Sequence, residues 1–567
     1  MSVVSLQSSS QPRWLLPFLV VLVSGICLLP MLRLLSEGFS GVVVSTDSHL
    51  FHVFSDAATW NAAGHTIYTA GLSMLISVLL GAGFAFPVAL SDIRGKAALV
   101  FCFMLPMMIP PQVTALSWVQ LSGPSSTILN ILALAPPLGS PQPFYSAEGI
   151  ALLLGVQHAA IVFLALRVSL RSIPGDMIEA ARLSGASQFA VWKDIILPLS
   201  SPGLIAGAAM AFVSAVGNFG IPALLGIPVS YYVLPTLIYQ KMADFGANVI
   251  AEVALLSLLV AVIAVAGVGL QYWISRKRDY RLVGLSGKTL DFSLRRWRLP
   301  VELLLWAVLS VILIAPLLAL VANSLVPAYG VDLTFDNASF AAYREMLLAQ
   351  GVTTRAIGNS IFLATVAALA LLVFALPLAY LSERAPSRLL KVVTACIEVP
   401  YALPGVVLAI ACILLFVKPL PFTDYSLYGS LGIILFAYLA RFMVVSIKPI
   451  QSSFKQMDPA LEEAAQLAGA GFARRMRTVL MPLVAPSAFA GALLVFLIAV
   501  NELTVSALLW SAGNETIGVL IFNLDDSGDT VLASALSVVV VLMVLVLMAL
   551  LEAASRKLPK GVIPWHS

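Results

Sequence analysis

The chain has 567 residues, 60% of them hydrophobic and 11% charged, with a mean hydropathy of +0.98 and a formal net charge of +4. Soluble domains carry roughly 25% charged residues, so most of this polypeptide belongs in lipid or against other buried helices. No basic run with interleaved aromatics points to nucleic acid, and Cys27, Cys102, Cys396 and Cys412 stand singly in apolar stretches, which excludes a disulfide framework or a cysteine metal cluster.

A spanning helix takes about 20 mostly apolar residues. The first such run, Trp14 to Leu32, lacks a small-residue cleavage site and is long enough to cross, so it reads as a transmembrane helix rather than a signal peptide. In chain order the expected spans lie near 14–35, 64–90, 97–121, 149–170, 202–225 and 249–273. A second set lies near 300–325, 357–381, 389–417, 428–447, 485–509 and 530–552. These predict an all-α polytopic membrane protein of about 12 transmembrane helices. Runs 97–121 and 389–417 are the least clear-cut of the twelve.

Lys and Arg collect on one side of this arrangement. The connection from Arg276 to Arg298 alone holds eight, and the outer segments hold only Arg33, Lys241, Arg344, Arg355 and Lys418 of the 32. By the positive-inside rule both termini are expected in the cytoplasm.

Two cytoplasmic segments repeat each other. The first runs Ile178-Glu179-Ala180-Ala181-Arg182-Leu183-Ser184-Gly185-Ala186 and reaches Pro198; the second runs Glu462-Glu463-Ala464-Ala465-Gln466-Leu467-Ala468-Gly469-Ala470 and reaches Pro482. Glu179 and Glu463, Gly185 and Gly469, and Pro198 and Pro482 are each 284 positions apart, as are Ala223-Leu224-Leu225 and Ala507-Leu508-Leu509. Upstream the register drifts, but Phe86-Pro87 still answers Leu376-Pro377, and Pro110-Pro111 answers Pro404-Gly405. The chain is therefore a duplication: residues 1–275 form one repeat with its motif loop near 172–200. Residues 276–299 are a basic linker, and 300–567 form the second repeat with its loop near 456–484. An even number of helices per half gives two parallel six-helix repeats related by an axis along the membrane normal.

The repeated segment resembles the EAA loop of ABC-importer permeases: Glu-Ala-Ala, Gly six residues after the Glu, and a terminal Leu-Pro-like pair. Both copies keep the Glu, both alanines, Gly at +6 and Pro at +19. The resemblance implies that Glu179, Ala180, Ala181, Gly185 and Pro198, with Glu463, Ala464, Ala465, Gly469 and Pro482, couple the chain to two ATP-binding-cassette ATPase subunits. It also implies a periplasmic or lipid-anchored solute-binding protein and residence in a bacterial inner membrane. ATP and Mg would be bound by the partner subunits, and this chain would hold no cofactor. Locally, Asp458-Pro459 suits a helix start, with Ser172 and Pro174 in the corresponding place of the first copy. Glycine costs roughly 1 kcal/mol against Ala inside a helix, so Gly185 and Gly469 are expected to bend the chain between two short helices.

Ionisable groups inside membrane helices are functional candidates by default. Glu502, with Asn501 beside it, meets that description, and its repeat partner is Asn218. These three are the expected lining of a translocation path, with Gln112, Thr114 and Tyr401 as weaker candidates. Arg167 and Arg441 are expected at cytoplasmic helix ends, and His65 and His158 as packing or interfacial groups without metal spacing. No GxxxxGK[ST] loop, zinc-spaced His pair or GxSxG turn is present, so the chain is not expected to be an enzyme. A secondary transporter of the major-facilitator type would share the twelve helices, but Ser91-Asp92-Ile93-Arg94-Gly95-Lys96 is a poor match to that family's signature loop. Fused permeases of this size resemble ferric-iron importers first, and thiamine or 2-aminoethylphosphonate importers next.

Overall fold

The computed structural model describes residues 14–39, 49–137, 139–244, 248–276, 292–419 and 424–555. Most of the expected basic linker, residues 277–291, lies outside them. Among the described residues ten helices are long and apolar enough to cross a membrane: α1 (Leu15–Gly38), α2 (Ala57–Leu90), α5 (Ala147–Arg171), α7 (Gln188–Val216), α10 (Val249–Arg276), α11 (Arg295–Ser324), α12 (Gly351–Arg384), α15 (Leu431–Gln456), α17 (Phe472–Val500) and α19 (Thr530–Ser555). Between them lie α3 (Lys96–Met108), α4 (Pro111–Ser122), α6 (Gly175–Leu183), α8 (Gly220–Gly226), α9 (Leu234–Met242), α13 (Arg388–Ala402), α14 (Gly405–Phe416), α16 (Ala460–Leu467) and α18 (Ile517–Asp526). The architecture is all-α and polytopic, as expected.

The runs 97–121 and 389–417 are not straight spans. Lys96–Met108 meets Pro111–Ile131 at 101°, and α13 meets α14 at 108°. The breaking residues, Ile109 and Leu403, each precede a proline and are extended, at ψ 136 and 148°. Proline crowds the helical conformation of the residue before it. The expected span 202–225 is also broken: α7 ends at Val216, and α8 starts again after Gly217–Phe219. Its counterpart 485–509 ends at Val500.

Proline leaves a second imprint. Four of the five π-helical turns among the described residues, Ser24–Leu28, Trp192–Ile196, Ser310–Ile314 and Met476–Leu480, each stop two residues before a proline: Pro30, Pro198, Pro316 and Pro482; the fifth, Glu345–Ala349, does not. Proline cannot donate and its ring clashes with the carbonyl four residues back, so the ladder widens locally. At the motif prolines the Leu197 N–H reaches Trp192 O, and the Met481 N–H reaches Met476 O.

The chain forms two compact units. One comprises the described residues within 1–40, 352–519 and 543–567; the other comprises those within 41–351 and 520–542. In the first, α1 packs on α13 and α14, and Arg33 Nε donates to Leu414 O. In the second, α11 packs on α3 and α4. Each unit therefore takes the opening helix of the other sequence half.

Close packing in the second unit rests on small residues. Ser73, Ser77 and Gly81 recur every four positions on α2 and are buried against α5. Ser77 Oγ donates to Gly155 O at 2.9 Å, and a Cβ on Gly81 would stand 2.7 Å from Ala159 O. Such stripes let helix backbones approach where lipid removes the hydrophobic drive for association.

Candidate functional site

The two repeated segments fold alike. In the first, α6 ends at Leu183, Gly185 takes a left-handed φ of +83°, its N–H reaches Arg182 O at 3.0 Å and the Ala186 N–H reaches Ala181 O at 3.0 Å. In the second, α16 ends at Leu467, Gly469 has φ +81°, its N–H reaches Gln466 O at 2.9 Å and the Ala470 N–H reaches Ala465 O at 3.0 Å. This pair of bonds is the Schellman helix stop, in which the left-handed residue is normally Gly because a Cβ is strained there. A Cβ at either glycine meets open space, so the strain is of backbone alone. The Asp458 carboxylate accepts from the Ala460 N–H at 2.9 Å and starts α16. Ser172 does not do the same for α6: its hydroxyl turns back to Ser169 O at 2.7 Å, and Pro174 occupies the cap.

Both helices present apolar side chains to the outside. Leu183 and Leu467, which share one repeat position, are each 90% exposed, and Met177 and Leu461, six residues earlier, are also exposed. Glu179, Ala180, Glu463 and Ala464 are exposed too, while Ala181 and Ala465 are half-buried. An apolar residue open at the same point of two copies fits a surface made to be covered. Pro198 and Pro482 each lie ten residues into α7 and α17, just past the π turns.

A second constellation sits at the breaks after α7 and α17. Glu502 is 7% exposed, and its carboxylate accepts from the Val505 N–H at 3.0 Å, the Ser506 N–H at 3.2 Å and the Ser506 hydroxyl at 3.2 Å. It thus caps the short helix Ser506–Leu509. Asn218, its repeat partner, does the same for α8, its Oδ1 accepting from the Ile221 N–H at 3.2 Å. Its Nδ2 donates to Gln157 Oε1 at 3.1 Å. Asn501 Nδ2 donates back to Leu497 O at 2.9 Å.

At the offset of 284, Gln157 corresponds to Arg441. The buried neutral pair Gln157–Asn218 is thus replaced in the second half by Arg441 and Glu502. Arg441 is not at a helix end, as the sequence pattern suggested, because α15 runs on to Gln456 and leaves it the eleventh of 26 residues. Its Nη1 is buried without a hydrogen-bond partner among the described residues. A Cβ at Gly405 would overlap that nitrogen and would lie 3.0 Å from Thr504 Cγ2. Arg167 is buried near the end of α5.

Gln112 is fully buried with neither amide atom partnered among the described residues, Thr114 is buried, and Tyr401 is exposed. His65 Nδ1 lies 2.9 Å from Tyr232 O, and its ring stacks on Tyr231 at 3.9 Å. His158 is buried on α5. No cluster of three His, Cys, Asp or Glu suited to a metal ion occurs among the described residues. The pattern reading missed the tie on Glu462, whose Oε1 accepts the Tyr380 hydroxyl at 2.7 Å and lies 3.7 Å from Arg475 Nε. The signal available was the Ile178-to-Glu462 exchange between otherwise matching copies.

A model of the binding-protein-dependent transport system inner membrane component matches residues 77–280 and again 373–563. A probable ABC transporter permease protein, y4fN of Sinorhizobium fredii, is 27% identical over 88% of this chain and 87% of its own length. The ferric transport system permease protein FbpB of Actinobacillus pleuropneumoniae is 23% identical over 88% of this chain and 72% of its own. The single-length molybdenum transport system permease protein ModB of Escherichia coli K12 is 27% identical over 38% of this chain and 93% of its own.

Proposed function

The chain belongs to the family of binding-protein-dependent transport system inner membrane components, and from that premise we propose that it is the fused, double-length permease of an ABC importer. Its two halves do what separate permease subunits do in single-length relatives, and α6 and α16 each dock one ATP-binding-cassette subunit that hydrolyses ATP. The observation that carries this reading is the twinned geometry itself: two helices stopped by left-handed Gly185 and Gly469, each ending on a leucine open to the outside. The motif prolines lie in the membrane helix that follows each surface helix, so a push on the surface helix is passed along one chain segment. In this reading the termini face the cytoplasm, and Asn218, Asn501 and Glu502 stand beside the path. A solute-binding protein on the opposite side delivers the cargo.

The substrate assigned is ferric iron, supported by the ferric transport permeases among relatives that span both halves, at 88% and 80% of this chain. Thiamine and 2-aminoethylphosphonate are the other cargoes that double-length permeases suggest. A second reading, an anionic cargo, is favoured by the unpartnered Arg441 guanidinium nitrogen in mid-helix and by the molybdenum permeases among the single-length relatives. Uptake of labelled ferric iron in cells with and without the chain, before and after ATP depletion, tests the assignment. Molybdate, thiamine and 2-aminoethylphosphonate serve as unlabelled competitors. ATP-dependent iron uptake that requires the chain supports iron; uptake unchanged by its loss removes iron and leaves the competitors to be labelled in turn.

A further inference from the structure

The two surface helices are seated by different chemistry. At the offset of 284, Glu462 stands where the first half has Ile178 and Arg475 where it has Val191; the Pro87–Pro377 correspondence sets Tyr380 against Leu90. Ile178, Val191 and Leu90 are all apolar and buried. Arg182 of α6 also lies 4.9 Å over the Phe292 ring, and the Phe292 N–H donates to Leu90 O at 2.7 Å. The first helix is therefore held by burial and by the far end of the linker.

The second has a polar seat instead. The Tyr380 hydroxyl donates to Glu462 Oε1 at 2.7 Å, Arg475 Nε lies 3.7 Å from the same oxygen, and Arg384 Nε lies 3.9 Å from Oε2. Arg384 Nη2 also donates to Met457 O at 3.0 Å, just ahead of α16. Arg475 is 3% exposed, so its charge is compensated from within the protein. Apolar burial is non-directional and tolerates small rotations without losing contact. One short hydrogen bond with two longer ion pairs is directional, and lets go when a single carboxylate turns.

We propose that Glu462 is a positioning residue: it orients α16 against the ends of α12 and α17, and its release lets α16, rather than α6, change angle when a partner bears on Leu461 and Leu467. The inference rests on the coupling reading above, and its test is arranged so that the two fail separately.

Spin labels are placed at Leu467→Cys and, separately, at Leu183→Cys, in full-length chain in lipid nanodiscs with Cys102 and Cys396 changed to Ser. Glu462→Ile should make the label at 467 several-fold more mobile and leave the label at 183 unchanged. Glu462→Gln, which keeps an acceptor for Tyr380, should fall between. Glu462→Ile with Tyr380→Leu and Arg475→Val copies the first half and should immobilise the label again. ATP hydrolysis by the complex purified through a tag on this chain should fall roughly ten-fold or more in Glu462→Ile, where the carboxylate facing the buried Arg475 is gone. It should stay low in the triple variant, whose seat no longer lets go. An unchanged label in Glu462→Ile, or full hydrolysis in the triple variant, overturns the proposal. If no ATPase accompanies the chain, the coupling reading fails, and the label still decides whether Glu462 seats α16.

Discussion

Three residues show how one position can be read only with its neighbours. Glu502 is a charged group in an apolar stretch, which marks it as a functional candidate, yet its carboxylate is engaged by two backbone N–H groups and a hydroxyl. Glu502→Leu would leave those donors unpaired, at about 1–3 kcal/mol each, and should lower the thermal midpoint of the detergent-purified chain clearly more than Glu502→Gln. If Glu502 also borders the path, Glu502→Gln still alters transport more than Cys102→Ser does. Gly405→Ala tests the companion site: the added methyl overlaps Arg441 Nη1, so the variant should lose stability in the wild-type background and regain it with Arg441→Gln, the first-half residue. Equal losses in both backgrounds would separate Gly405 from Arg441. Asp525 offers a pH check outside the spans. Burial, with Asp526 beside it, pushes its carboxyl up to about 6. An acid whose folded value lies above its unfolded one is ionised at a cost, so thermal stability should rise as pH falls from 7 towards 4. Asp525→Asn should flatten that slope.

At the scale of elements, the straight helices were legible because twenty apolar residues leave lipid as their solvent, and the motif glycines were legible because little else sits at a left-handed helix stop. The breaks were less so. Ile109 and Leu403 precede prolines, and that much was written in the sequence, but a composition window counts the residues on both sides of a 101° or 108° bend as one span. The break at Gly217–Phe219 carries no proline and depends on Asn218 capping α8, a contact set by α5. The placement of Arg441 failed for a related reason: α15 continues past its apolar run as a polar-faced helix to Gln456. The π turns follow from Pro198 and Pro482, which yields a prediction. Pro198→Ala with Pro482→Ala restores an N–H and removes the ring clash, so the turns should revert to α-helix and rotate α6 and α16 against α7 and α17. Insertion and stability should persist while ATP-dependent transport falls; unaltered transport would show that the π turns are incidental.

At the scale of the molecule, the duplication was legible from the spacing of 284, but not the packing partners. That α1 belongs with α13 and α14, and α11 with α3 and α4, is decided by surfaces with no local signature, such as the Arg33 bond to Leu414 O. The matched stretches of the family model, one in each half, agree with two permease modules in one chain. What the halves do not share is also informative: an amide pair against Arg441 and Glu502, and an apolar seat against Glu462. The central claim, that two surface helices couple this permease to ATP hydrolysis, is tested most directly by replacing Gly185 and Gly469 with Trp and following the ATPase that purifies with the tagged chain. A side chain at either glycine meets open space but is strained by the left-handed backbone, so the double variant should insert with its spans intact and the stops of α6 and α16 disturbed. The account predicts that it loses the ATPase or its ATP-driven transport; a double variant that retains both in full would contradict it.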